Sequence, residues 1–246
     1  MRSWLVLTLL LLGACAPLPS SQETSADRLV FPGGWVEGRW VHGEVSFPLP
    51  APPLDVDAVE DRIEVLFPYV WQSYRDGELT ERHDLPAPAR ALRARPQPLV
   101  LLEDGVFTPE GGRRGYPARD AVRTRDGVYW IDDEGLWFER ERLADGRFER
   151  VLAAGDEVVA LARDHALRWP GERTLELPAE WFAADAAGDL YLLSPDGVHR
   201  LDLEGYELGF YPGAFEDLAA SSDAGVWLLD EGGGVRHLDL RLEESW

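Results

Sequence analysis

The sequence predicts an all-β fold, a β-propeller of about six small blades, on three observations. Gly197–Leu203 (GVHRLDL) returns as Gly234–Leu240 (GVRHLDL), a spacing of 37 residues. Just ahead of these, Leu190–Ser194 and Val226–Asp230 are short apolar runs bounded by Asp- and Gly-containing turns. Related runs occur at Gly127–Asp132 and, more faintly, at Pro98–Glu103. Such runs read as strands buried on both faces. After each of the two C-terminal runs comes strict alternation: Leu201 and Leu203 oppose Arg200, Asp202 and Glu204, while Leu238, Leu240 and Leu242 oppose His237, Asp239 and Arg241. A period of two is the mark of a half-buried strand. A unit that cannot cover both faces of its own strands must stack against copies of itself.

The elements follow in chain order. Arg2 and the apolar run Trp4–Leu12 form a signal-peptide pattern, too short to span a bilayer, which needs roughly 20 residues. Residues 1–14 are read as the signal peptide and 15–27 as a modified N-terminus followed by a polar, Pro/Ser-rich tether. Residues 28–246 are the propeller. Within them, Arg39–Phe47 alternates and reads as one spare strand. First strands of successive units are expected near Asp55, Ala89, Asp120, Glu157, Phe182 and Asp217, the unit at Glu157 being abbreviated. A helical reading competes at Asp156–Leu167 and Ala87–Arg95; the strand reading is preferred because the first of these fills a blade-sized gap. The last unit has three strands, so the spare N-terminal strand is expected to complete it, closing the ring with both chain ends in one blade and covering an exposed edge.

Leu12-Gly13-Ala14-Cys15 resembles the lipobox of bacterial lipoproteins: an aliphatic residue, two small ones, then the cysteine whose thiol takes the lipid. Cys15 is the chain's single cysteine and stands at the end of the apolar run. The resemblance implies cleavage before Cys15, acylation of that residue with palmitate-type chains, and membrane anchoring without a transmembrane helix. Ala16, where that family's usual retention signal is Asp, implies an outer-membrane location. Farther along, Asp185–Asp202 resembles blades of NHL-like six-bladed propellers.

The chain carries a formal charge of −21 at pH 7, and all its cationic side chains apart from histidine are arginines, since it has no lysine. So acidic a chain argues against nucleic-acid partners, whose phosphates need basic patches. It has no second cysteine, so packing alone must hold the fold.

Chemistry is sparse. His42, His83, His165, His199 and His237 show no zinc spacing, and His199 and His237 read as outer-strand positions. There is no Gly-x-Ser-x-Gly, and Gly232–Gly234 reads as a hairpin turn rather than a phosphate loop. Lactonase-like propellers resemble this blade type and imply a channel metal held by Glu, Asp and Asn; this chain has no asparagine. An all-carboxylate calcium site would draw on Asp132, Asp133, Asp196 and Asp230, although acidic turn residues more often bond their own backbone. Tyr129, Trp130, Trp137, Tyr191 and Trp227 read as packing between blades rather than as a ligand groove. No catalytic, cofactor or metal-binding residue is assigned. The expectation is a non-catalytic envelope lipoprotein, anchored through Cys15, whose propeller binds or scaffolds an envelope protein or polymer. The alternative is a membrane-tethered, metal-dependent propeller hydrolase.

Overall fold

A computed structural model describes residues 28–162, 166–168, 174–176, 181–184, 188–221 and 225–245, and every regular element among them is a strand. Cys15, the signal peptide and the tether lie outside the described residues, as does His165. The first blade contains β1 (Arg28–Phe31), β2 (Gly34–Glu37), β3 (Trp40–Gly43) and β4 (Phe47–Pro48). The second contains β5 (Asp55–Val59), β6 (Arg62–Phe67), β7 (Val70–Arg75) and β8 (Glu78–Asp84). The third contains β9 (Ala89–Arg93), β10 (Leu99–Leu102), β11 (Gly105–Thr108) and β12 (Gly112–Arg114). The fourth runs through β13 (Asp120–Arg123), β14 (Val128–Ile131), β15 (Gly135–Phe138) and β16 (Glu141–Asp145). The fifth has β17 (Phe148–Ala154), β18 (Glu157–Ala162), β19 (Ala166–Arg168) and β20 (Thr174–Glu176). The sixth has β21 (Trp181–Ala184), β22 (Leu190–Ser194), β23 (Gly197–Leu201) and β24 (Glu207–Pro212). The seventh has three strands, β25 (Phe215–Ser221), β26 (Gly225–Asp230) and β27 (Val235–Leu238).

Each sheet is an antiparallel meander. The first strands β1, β5, β9, β13, β17, β21 and β25 pack in succession, and β25 returns to β1, so the sheets form a ring. The chain is a β-propeller.

The apolar runs seen in the sequence are the second strands, and their alternation shows why the blades must stack. In β10, Leu99 and Leu101 pack toward the fourth blade, whereas Val100 and Leu102 pack toward the second. In β22, Leu190 and Leu192 pack toward the fifth blade, whereas Tyr191 and Leu193 pack toward the seventh. Val226 and Leu228 of β26 face the sixth blade, and Leu229 faces the first. The core is therefore divided among the junctions between neighbouring blades. Glycine opens the third strand at Gly105, Gly135 and Gly197 because a Cβ there would collide with the fourth strand's carbonyl oxygens, those of Arg114, Ala144 and Tyr211.

Three expectations are corrected. Arg39–Phe47 is a hairpin rather than one strand: β3 turns back as β4, with Val41 opposite Phe47. The N-terminal strands form a whole blade of their own and add no strand to the last one. Glu157 starts a second strand, not a first; its unit begins at Phe148 and has four strands. Asp156–Leu167 and Ala87–Arg95 hold strands β18 and β9 rather than helices, as preferred.

Instead of a shared strand, the edge of β27 meets the chain's own last residues. Leu238 bridges Glu244, and the Ser245 backbone N–H donates to His237 at 3.0 Å.

Candidate functional site: the ring axis and an outer aromatic groove

Several first strands carry charge, and the ring brings that charge to one place. A cavity of about 280 Å³ at the axis is lined by Asp55 and Asp57, Arg93 and Arg95, Arg150, and Asp217, with Val30, Leu152, Ala183 and Ala219 between them. Alternation puts Asp55 and Asp57 on one side of β5, and Arg93 at the end of β9 and Arg95 just beyond it line the same cavity. Asp120 of β13 joins through Arg93, whose Nη2 lies 2.9 Å from Asp120 Oδ1.

The aspartates act as clamps between blades. Asp55 Oδ2 accepts the Leu92 N–H at 2.8 Å, Asp57 Oδ2 the Ala94 N–H at 3.0 Å, and Asp120 Oδ2 the Val151 N–H at 3.0 Å. Each of these donors belongs to the following blade. Arg95 Nη1 reaches across the axis to the Ala220 carbonyl at 2.6 Å. Buried charges persist only when paired or hydrogen-bonded, and these are both.

Their electrostatics are tense. Burial pushes the Asp55 carboxyl up to about 6, against the pull of Arg93 and the Leu92 N–H. Burial, reinforced by the like charge of Arg93, pushes the Arg150 guanidinium down to about 9, with Asp120 and Asp217 opposing. Burial alone would lower Arg93 too, but Asp120, Asp55 and Asp57 outweigh it and hold its charge firmly in place.

The residues singled out from sequence do not share one site. Asp132 Oδ1 accepts the Glu134 and Gly135 N–H groups at 2.8 and 2.9 Å, and Asp230 Oδ1 accepts those of Gly232 and Gly234 at 3.0 and 2.7 Å. Asp133 pairs with Arg119, and Asp196 with Ser194 and His199. They lie on three different blades, Asp132 and Asp230 as caps of their own turns. Among the described residues, no three His, Cys, Asp or Glu side chains converge as a metal site would require.

The histidines stand against aromatic cross-strand neighbours: His42 on Trp35, His83 on Trp71, His237 on Trp227 and His199 on Phe210, with ring centroids 4.5–5.0 Å apart. Of the aromatic residues, Trp130 and Tyr191 are buried, which fits packing between blades. Trp130 and Trp137 also line a second, outer cavity at the junction of the third and fourth blades. There Tyr116, Trp130 and Trp137 stack in series at 5.4 and 5.2 Å, with Arg142 over Trp137. The cavity holds about 760 Å³ and is rimmed by Arg113, Arg114, Glu139 and Arg140. Arg114 grips Glu139 at 2.8 and 2.9 Å, which with the Tyr116 hydroxyl holds the Glu139 carboxyl below its usual range despite its partial burial.

The axial charges were missed from sequence, where Asp55, Asp120 and Asp217 figured only as strand starts. A signal exists: Asp-x-Asp at 55–57 is answered one blade later by Arg-x-Arg at 93–95.

No protein-family model and no curated protein sequence matches the chain. Solved structures do resemble it. PorZ, a bacterial surface component of the type-IX secretion system of Porphyromonas gingivalis, superposes with a TM-score of 0.65 at 11% identity, over 89% of this chain and 37% of that one. BBS1N, solved in complex with ARL6DN, gives 0.55 at 13% identity over 90% and 91% of the two chains. A catalytically inactive virginiamycin B lyase from Staphylococcus aureus gives 0.53 at 13% identity over 78% and 83%. The likeness is one of fold. At these identities, residues cannot be carried from one ring to another, and any function must be argued from the site.

Proposed function

We propose that the chain is a lipid-anchored envelope protein, held on the outer membrane through Cys15, whose propeller is a non-catalytic module that binds or scaffolds an envelope protein or polymer. One observation supports the module's role above all. The aspartates that could do chemistry serve the framework, as clamps between blades or caps of turns, while the aromatic groove rimmed by Arg113, Arg114 and Arg140 stands open. Aromatic and arginine side chains with a large, half-wet contact surface are the usual anchors of a protein interface. PorZ at a bacterial surface and BBS1N with a bound partner are rings of similar shape in such settings.

The experiment is fractionation with labelled palmitate. The wild-type chain is expected in the membrane fraction and labelled, and Cys15→Ala soluble and unlabelled. A wild-type chain that stays unlabelled and soluble defeats the anchor. For the groove, Arg140→Glu, at an exposed position on its rim, is expected to abolish cross-linking to the partner without changing the melting temperature. Calcium or zinc titration addresses the hydrolase alternative: a stoichiometric metal that raises the melting temperature would favour it.

A further inference from the structure

We propose that the axial cavity is a binding site for a small oxyanion, a carboxylate or a tetrahedral sulfate- or phosphate-type group, held among Arg93, Arg95 and Arg150. The inference is independent of the outer groove and of the lipid anchor. It rests on an inventory of donors and acceptors at the axis. Each carboxylate there already accepts at least one backbone N–H. Asp55 takes the Val56 and Leu92 N–H groups, one on each oxygen, and Asp57 takes those of Ala58 and Ala94 in the same way. Asp120 divides its oxygens between the Val151 N–H and Arg93.

Arg93 and Arg95 keep donors in excess. A guanidinium has five N–H bonds and no acceptor. Arg93 spends Nη1 on its own neighbour's carbonyl at Leu92 and Nη2 on Asp120, and its Nε–H has no hydrogen-bond partner although the side chain is only 16% exposed. Arg95 spends Nη1 on Ala220, and its buried Nε lies 3.4 Å from Asp57 without forming a hydrogen bond. Arg150 lies in the same cavity and feels the repulsion of Arg93. Surplus buried donors next to two like charges call for an acceptor that carries negative charge, because charge-assisted N–H···O bonds are about twice as strong as neutral ones. A cation would instead need three converging metal-ligating side chains, and among the described residues there is no such group. At about 280 Å³ the cavity sits at the lower edge of small-molecule pockets, roughly 300–1,000 Å³, so the ligand is small.

The groups facing this site also fix its pH dependence. They are Asp55 and Asp57 from β5, Arg93 and Arg95 from the third blade, Asp120 from β13, Arg150 from β17 and Asp217 from β25. Asp55 sheds its negative charge as the pH falls through about 6. An anion is therefore held more tightly at pH 5 than at pH 7.5.

The test is calorimetric titration of the full chain, solubilised in detergent, with sodium sulfate and with sodium succinate at constant ionic strength, chloride serving as the control. Succinate is titrated at pH 7.5, where it is fully ionised; sulfate, which does not titrate between pH 5 and 7.5, is used at both ends of that range. Saturable binding of one anion per chain is expected, several-fold tighter for sulfate at pH 5. The preferred anion distinguishes a carboxylate ligand from a tetrahedral one. Arg150→Met is expected to weaken binding by about 10-fold or more, the loss of one hydrogen bond to a charged group. Arg95→Met, at a less buried position, gives the same reading should Arg150→Met fail to fold, and Arg140→Met on the outer groove should leave binding unchanged. Absence of saturation with either anion, binding that survives both axial substitutions, or loss of binding in Arg140→Met overturns the proposal.

Discussion

At the junction of the fourth and fifth blades, Phe148, Val151, Val158 and Ala160 close on Val122, Ile131 and Leu136, and Asp120 clasps the Val151 N–H. At the seam of the seventh blade with the first, the buried cluster shrinks to Val30, Ala219 and Leu229. What the seam lacks in buried aliphatics it replaces with half-buried rings. Trp35 and Trp227 meet across it at 5.8 Å, and His42 and His237 back them on either side. The Arg28 guanidinium also crosses to the Gly233 carbonyl. The difference follows from connectivity. Neighbours along the chain are held by a short linker whatever their packing, whereas the seam joins strands from opposite ends of the described chain and is closed by non-covalent contacts alone. Without a shared strand, it is expected to be the place where the ring opens first.

Substitutions test that contrast. Phe148→Ala empties a fully buried site at the fourth junction and is expected to cost about 3–5 kcal/mol in chemical denaturation. Trp227→Ala at the seam removes a half-buried ring and should cost roughly half as much; equal costs would erase the distinction between the two junctions. Asp120→Ala should fall between them, about 3 kcal/mol, because it strips a clamp and leaves Arg93 short of its nearest counter-charge. Hydrogen exchange offers a reading without mutation: the amides of β1 and β26 are expected to open at lower free energy than those of β14 and β17.

The same contrast explains what the sequence could disclose. β10, β14, β22 and β26 were legible because a strand buried on both faces must be apolar throughout, and that pattern is local. The first blade was not legible: its second strand, Gly34-Trp35-Val36-Glu37, faces the thin seam on one side and tolerates Trp and Glu where the others carry Leu and Val. Asp55, Asp120 and Asp217 marked their strands correctly. Their convergence with Arg93 and Arg150 belongs to ring closure, which joins residues scores of positions apart and leaves no pattern within a short window. The outer groove fell between readings, since Trp130 is at once core and cavity wall.

The smallest effect sharpens the axis rather than the seam. Asp55 titrates near 6 in the fold against 3.8 for the ordinary side chain. Between those values the folded chain holds more protons than the unfolded one, so this residue makes stability fall as the pH rises from about 4 to 6 and leaves it level above that. Carboxylates held low, such as Glu37 and Glu139, work in the opposite sense, losing their contribution as the pH drops toward 4. The contribution of Asp55 must therefore be read as a difference between wild type and Asp55→Asn, which keeps an oxygen for the Leu92 N–H and cannot titrate. That difference should shift by on the order of 1 kcal/mol, or about 2–4 °C in melting temperature for a domain of this size, as the pH goes from 4 to 6. A flat difference would mean that Arg93 fully offsets the burial of Asp55, and that the axis holds its charges without strain.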